Sequence, residues 1–369
     1  MGAPENPEVS IKPAKAPSAI YIHVPFCRRE CYYCNFTKFR YDKWAAGEYT
    51  KYLCRELKLR GDTGPLIKTV YFGGGSPAVV PEIFLEEIVS TIRENFNLEE
   101  VSEMTIEINP EECSPEKLNF LKGLGFNRVS VGVQSFSDKD LQYLGRNHDA
   151  RRAREALDEA LNTGFESVNA DLIIGLPGQT EEVLKENVMI LSGSGADHIS
   201  AYILEGVKNF GGRELPDPDQ QSYLYNHFRK EAGSSGFDQY EVSNFCRGRK
   251  FSMHNMNYWE GGSYIGAGLS AAGFENGEDY MNYTAPENYY GSIKNGKIPV
   301  EIRTRHDILE RSLAIGLRLV RGIKKEKLSH LKPRILELMD EGFLEETEKY
   351  YRVVPSRLVV LNEILSYLI

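Results

Sequence analysis

Cys27, Cys31 and Cys34 stand in a C-x3-C-x2-C spacing within Tyr21-Ile-His-Val-Pro-Phe-Cys-Arg-Arg-Glu-Cys-Tyr-Tyr-Cys-Asn-Phe36. Iron–sulfur clusters are held by cysteine thiolates, usually four, so a close triplet binds three irons of a cubane and leaves the fourth to a non-protein ligand. Zinc is the rival occupant, but structural zinc wants a closed tetrahedron of four ligands. The candidates for a fourth are poor: Cys54 falls in a helix-like stretch, Cys113 and Cys246 are remote, and His23 precedes the triplet on what reads as a strand. A disulfide is the blander alternative. Six cysteines in 369 residues, with no secretory signal, is the composition of a reducing compartment, where disulfides are rare. The spacing favours a cluster over zinc or unrelated thiols.

These residues need elements to carry them. A chain of 369 residues exceeds what one hydrophobic core usually serves, which suggests two domains or a large barrel with an appendage. A net charge of −9 argues against a phosphate-backbone binder, so nucleic acid is not an expected partner. No stretch approaches the roughly 18 apolar residues of a membrane span, and the N-terminus has no apolar signal core. The expected address is cytoplasmic.

Short β-branched runs alternate with amphipathic stretches, the pattern of a parallel α/β sheet. Six strands are expected, over 20–24, 69–72, 104–108, 128–131, 167–172 and 198–203. Helices follow over 44–59, 81–95, 114–121 and 180–191, opened by capping hydroxyls, an early proline or early acids. The return after the sixth strand is indistinct, and 211–221 reads as a polar loop. The expected divisions are an N-terminal tail over 1–17, a barrel over 18–240, a connecting segment over 241–294 and a smaller domain over 295–369. That domain carries helices over 306–320 and 333–341, then a hairpin wing from residue 342. With 13 Lys or Arg against 11 Asp or Glu over 301–369, the wing suits packing or partner docking better than DNA.

In a barrel of parallel strands, function collects at the carboxyl ends of the strands. The cysteine loop follows the first strand, and Gly73-Gly74-Gly75-Ser76-Pro77 follows the second. Glu107 ends the third, Gln134 follows the fourth, Arg146 lies further on, and Asp171 and Ile173 end the fifth. A glutamate, a glutamine, an arginine and an aspartate at one mouth suit a ligand with an ammonium, a carboxylate and ribose hydroxyls.

Tyr21-Ile-His-Val-Pro-Phe-Cys-x3-Cys-x2-Cys, Gly73-Gly-Gly-Ser-Pro, Gly132-Val-Gln-Ser-Phe and Asp171-Leu-Ile-Ile-Gly-Leu-Pro-Gly resemble the radical S-adenosylmethionine (SAM) proteins of the HemN/HemW group. The resemblance runs over nearly the whole chain. It implies a partial (β/α)6 radical SAM barrel with a small, mainly helical C-terminal domain carrying a short β wing. It also implies a [4Fe-4S] cluster on Cys27, Cys31 and Cys34, with SAM completing the open iron. Carried onto matching positions, Tyr21, Gly74, Glu107, Gln134, Arg146, Asp171 and Ile173 contact SAM. The family uses such a cluster to split SAM reductively, the cofactor supplying the difficult step.

The coproporphyrinogen III oxidases of the group carry a further cysteine two positions after the third; here that position is Phe36. Only a short tail precedes the first expected strand. Both departures resemble the haem chaperone branch, as does His254-Asn-Met-Asn-Tyr-Trp259, which fits the H-N-x-x-Y-W motif linked there to haem binding. Imidazole is a usual haem ligand, although a histidine beside aromatics in a Gly-rich loop is more often a hydrogen-bonded packing residue, with Asn255, Tyr258 and Trp259 pinning the loop. The resemblance favours a haem role for His254 without assigning it as an axial ligand. The resemblance implies a haem chaperone passing haem to an acceptor protein the sequence does not identify. The alternatives are a radical enzyme acting on coproporphyrinogen III or another tetrapyrrole, and an iron–sulfur scaffold with neither activity.

Overall fold

The computed structural model describes residues 16–204 and 217–369. The tail expected over 1–17 lies outside the described residues except for its last two, and the passage over 211–221 lies outside them up to residue 216. Its remainder opens a helix.

Six parallel strands lie side by side in chain order: β1 (Ala19–Val24), β2 (Thr69–Gly74), β3 (Glu103–Ile108), β4 (Arg128–Gln134), β5 (Ser167–Ile174) and β6 (His198–Ile203). Each starts within one residue of its expected position and runs up to three residues longer. The returning helices are α1 (Lys43–Arg60), α2 (Glu82–Asn95), α3 (Pro115–Gly123), α4 (Asp138–Leu144), α5 (Ala150–Thr163), α6 (Glu181–Ser194) and α7 (Pro218–Ser234). Asp42, Ser114, Ser137, Asp149, Thr180 and Asp217 cap six of these seven through their side chains, satisfying first-turn amides. α7 is the return that the sequence leaves indistinct.

The barrel is open, because β6 does not pair with β1. β6 pairs antiparallel with β8 (Asn244–Cys246), which pairs with β7 (Asp238–Gln239). On the other side β1 pairs in parallel with β9 (Tyr264–Ala267), and β10 (Ala272–Glu275), β11 (Glu278–Asn282) and β12 (Val300–Thr304) follow antiparallel. The result is a partial (β/α)6 barrel within one twelve-stranded sheet. The segment over 241–294, expected only to connect, supplies four of those strands together with α8 (Met253–Trp259) and α9 (Pro286–Lys294). Its Gly/Tyr/Asn composition conceals them, since pairing partners and not propensity make these strands.

Three hydrophobic clusters result, the smallest of them Leu144, Ile173, Leu176 and Leu204 beside the cavity described below; the other two form the main cores. The larger spans Ile20 to Ile293 and fills the space between barrel strands and helices. The second, from Leu313 to Leu368, joins α10 (Ile308–Gly316), α11 (Lys332–Asp340) and α12 (Leu361–Leu368). Three short strands pack with them, in the order β13 (Ile323–Lys324), β15 (Tyr350–Val353), β14 (Leu344–Glu346). The wing thus has a third strand, and Pro355–Val360 is a 3-10 turn outside it. The helix expected over 306–320 ends at Gly316, because the next residues run beside the barrel instead: the Val242 amide donates to the Arg318 carbonyl (3.0 Å) and the Val320 amide to that of Tyr240 (3.0 Å).

Candidate cluster and cofactor site

Within each barrel strand, alternate residues take opposite roles. Val70 and Phe72, Met104, Ile106 and Ile108, Val129 and Val131, and Val168, Ala170 and Leu172 join the hydrophobic cluster. The residues between them are polar and bond one another across the barrel interior. Tyr71 donates to Glu107 (2.8 Å), Ser130 to Asp171 (3.2 Å), and Asn169 to Ser130 (2.6 Å) and Asp171 (2.8 Å). The period of two is legible in Arg128-Val-Ser-Val-Gly-Val-Gln134 and Ser167-Val-Asn-Ala-Asp171.

At the carboxyl ends of the strands this interior opens into a cavity of about 510 Å³. Its wall includes all three cysteines of the triplet and six of the seven residues expected to meet SAM: Gly74, Glu107, Gln134, Arg146, Asp171 and Ile173. Tyr21 does not line it. Its hydroxyl bonds His23 Nδ1 (3.1 Å) and its ring stacks on Tyr71, with centroids 6.2 Å apart, so it supports the wall from behind.

The cysteine loop is held from several sides. Phe26–Cys27 pairs in parallel with Phe39–Arg40, the Tyr32 amide donates to the Leu144 carbonyl (3.3 Å), and Lys38 Nζ to the Cys34 carbonyl (2.7 Å). The glycine run lies directly beneath it. A Cβ on Gly75 would stand 2.5 Å from the Phe26 carbonyl oxygen, and one on Gly74, at φ +112°, 2.6 Å from the His23 ring. These glycines therefore pack the second strand's loop under the first, and only Gly74 and Gly75 also reach the cavity.

All six cysteines are free thiols. Burial pushes the Cys27 thiol up to about 12, and the neighbouring Cys34 and Cys31 sulfurs raise it further. Three thiolates so close need a cationic centre between them, and loading it must expel protons. Cys54, Cys113 and Cys246 are buried elsewhere. Among the described residues no three Cys, His, Asp or Glu converge as one metal ion would require. A cubane that takes one thiolate per iron does not ask for such convergence, whereas a zinc ion does. The donor set fits the cluster.

The rest of the wall fits a polar, charged ligand. Arg146 is half-buried, with Nη2 on Asn109 Oδ1 (2.6 Å) and the Gly132 carbonyl (2.9 Å), and Nη1 beside Tyr33 (3.3 Å) and Cys31 Sγ (3.5 Å). Its Nε is buried without a partner, leaving a donor for an incoming carboxylate. Glu107 is pushed up to about 7 by burial, with the Asp171 charge adding to the effect, and burial likewise raises Asp171. Two carboxyls facing a closed interior await a cation or hydroxyl donors. Gln134 adopts φ 66°, in the left-handed region, where the β4 ladder slips against β5. Such a conformation costs of order 1–3 kcal/mol and persists only where its surroundings enforce it.

His254, expected to have a haem role without being assigned as an axial ligand, does not line this cavity. His254 is fully buried at the opposite end of the barrel, with Nδ1 on Thr69 Oγ1 (2.9 Å) and Nε2 on Tyr258 Oη (2.6 Å). Its amide and that of Met253 donate to the Glu103 carboxylate at the start of β3 (3.0 and 2.8 Å). Burial, with Arg128 nearby, lowers its pKa to about 3, so the ring is neutral. Both ring nitrogens are thus hydrogen-bonded. Asn257 accepts from Ser18 (3.1 Å), and Arg318 stacks over Trp259 at 4.6 Å. The motif closes the barrel floor and fastens it to the C-terminal helices.

The radical SAM superfamily matches this chain over residues 21–189. The chain is 31% identical to a Bacillus subtilis protein named heme chaperone HemW, over 94% of this chain and 97% of that one. A Synechocystis protein of the same name is 34% identical over 83% of this chain and 79% of its own. Among solved structures, the coproporphyrinogen III oxidase HemN of Escherichia coli superposes with a TM-score of 0.84 over 97% of this chain and 91% of that one; at 21% identity this is a likeness of fold. A radical SAM barrel whose cysteines and polar strand ends share one cavity, matched over most of its length by proteins of that name at 31–34% identity, makes the chain a member of the heme chaperone HemW family within the radical SAM superfamily.

Proposed function

We propose that the chain is a haem chaperone, binding haem and handing it to an acceptor protein, on a scaffold that holds a [4Fe-4S] cluster and SAM. The observation that carries this reading is the likeness, over more than nine-tenths of both chains, to a protein named for that role. The residue at position 36 supports it, being Phe where the oxidases of the group carry a further cysteine. Cys27, Cys31 and Cys34 would hold the cluster. Arg146 Nε would meet the SAM carboxylate, Glu107 its ammonium, and Gln134 and Asp171 its ribose, with Gly74 and Ile173 shaping the wall. When bound, the cluster supplies one-electron chemistry to SAM; the protein's part is to orient the cofactor and exclude water. A cytoplasmic setting suits six free thiols, and none of the described helices is long and apolar enough to cross a membrane.

Haem titration of the anaerobically reconstituted protein, followed by transfer to a haem-free acceptor, tests the reading. Saturable uptake and transfer are expected, with coproporphyrinogen III left unchanged in the presence of SAM and a reductant. Conversion of that compound would promote the oxidase reading instead. Cys31→Ala should abolish the cluster absorbance, and a full complement of zinc without iron would overturn the cluster assignment.

A further inference from the structure

A second cavity, of about 210 Å³, lies on the open side of the barrel, in the seam between β6 and the C-terminal helices. Tyr202, Ile203 and Val242 line it from the barrel; Arg318, Leu358 and Leu361 line it from the C-terminal domain. Tyr202 and Ile203 also line the cluster cavity, so the two spaces share a wall. Tyr202 stays 44% exposed although β6 is paired on both sides.

Arg318 is half-buried with nothing to match its charge directly. Among the described residues its guanidinium forms no hydrogen bond or ion pair, and its Nε is buried without an acceptor. Glu241 is fully buried nearby and feels the Arg318 charge. Its Oε1 instead accepts from the Ser243 amide (3.0 Å) and the Asn244 side chain. What fixes the guanidinium is the Trp259 ring, whose centroid lies 4.6 Å from the arginine Cζ. The His254–Trp259 motif thus holds Arg318 at the cavity wall. A guanidinium with open donors is a site for an anion, which it binds through charge-assisted hydrogen bonds.

The walls narrow the class of that anion. Arg318 is the one charged residue among those lining the cavity, and most of the others are apolar. This suits a carboxylate on a hydrocarbon stem better than a phosphate, whose nearly two charges call for several donors. The volume is below the roughly 300 Å³ of a pocket that takes a whole small ligand, so the cavity admits a side chain and leaves the body of the ligand outside. A tetrapyrrole propionate has that form.

We propose that this seam cavity anchors haem by one carboxylate: a propionate enters it and pairs with Arg318, and the ring extends past Tyr202 toward the mouth of the cluster cavity. The proposal rests on the haem-chaperone reading.

The test is haem titration by absorbance, on the full chain with cluster and SAM, comparing haem with its dimethyl ester, in which both propionates are neutral. Wild type should bind the ester about tenfold or more weakly than haem, a comparison that needs no variant. Arg318→Gln, at wild-type iron content and melting temperature, should bind haem about as weakly as wild type binds the ester, with its affinity for the ester unchanged. Arg318→Lys should recover part of the affinity for haem. An Arg318→Gln protein that binds haem like wild type would overturn the anchor and leave the chaperone reading standing. So would a variant that loses haem and ester alike, since an arginine that only supports the seam moves both. Wild type that binds haem and ester equally would also overturn the anchor. Wild type that takes up no haem would overturn the chaperone reading, and the anchor with it.

Discussion

Glu107 holds the sharpest conflict among the residues of the cavity. Its carboxylate accepts from Tyr71 (2.8 Å) and from the Gly74 amide (3.3 Å), yet burial raises its pKa to about 7. A folded-state pKa above the unfolded value means the folded protein takes up a proton between the ordinary carboxyl range and pH 7. The penalty for the buried charge is therefore absent at low pH and fully present above pH 7. Glu107→Gln should raise the stability of the protein free of cluster and SAM at pH 8, by at most roughly 3 kcal/mol, and change it little near pH 4, as urea unfolding at both values would show. The same substitution should weaken SAM binding at pH 8. A residue that costs stability and strengthens ligand binding is placed for function, and a Gln variant neutral at pH 8 would remove that inference.

Among the elements, α1 depends most on a contact that its own sequence does not announce. Glu56, on its buried face, accepts from Arg60 Nε (2.7 Å), the Gly268 amide (2.8 Å), Asn282 Nδ2 (2.8 Å) and Tyr289 Oη (2.6 Å). Arg60 reaches on to Tyr280 (3.0 Å) and Asn282 (2.9 Å). One i,i+4 pair thus ties the first helix to β11, to α9 and to the turn after β9. An i,i+4 charge pair ordinarily forms on an exposed helix surface; what buries this one is the antiparallel extension of the sheet. Removing one partner leaves a buried charge unmatched, so Glu56→Ala should cost about 3–5 kcal/mol, and Glu56→Gln less. Chemical denaturation measures both. The cysteine loop shares no bond with this network, so iron loading of the folded variant should match wild type.

At the scale of the molecule, the two main hydrophobic clusters meet along a narrow seam. The residues after α10 bond Tyr240 and Val242, Glu241 bridges Leu319, and Trp259 lies under Arg318. Trp259 also closes the barrel floor as the end of α8, so it serves both sides. Trp259→Ala should uncouple them: calorimetry is expected to resolve one wild-type transition into two, the C-terminal helices melting first. A single transition in the variant would show that the backbone seam suffices.

The cysteine triplet and the polar strand ends were the most legible part of the candidate site, because both are local signals: three thiols stand within eight residues, and strand ends in a parallel barrel collect polar groups. The structure brings them to one cavity. The six strands were legible for a related reason, since apolar residues at alternate positions and capped helices are signals within a few residues of each other. The sequence by itself thus determined the barrel, the cysteine triplet and which side chains compete for one ligand. Only the tertiary structure decided what distant segments do. It drew 241–294 into the sheet, ended α10 at Gly316 where the chain turns to meet Tyr240, and buried Glu56. It also placed His254 at the barrel floor, between Thr69 and Tyr258. Such placement depends on packing between segments as much as 185 residues apart, which no local pattern encodes.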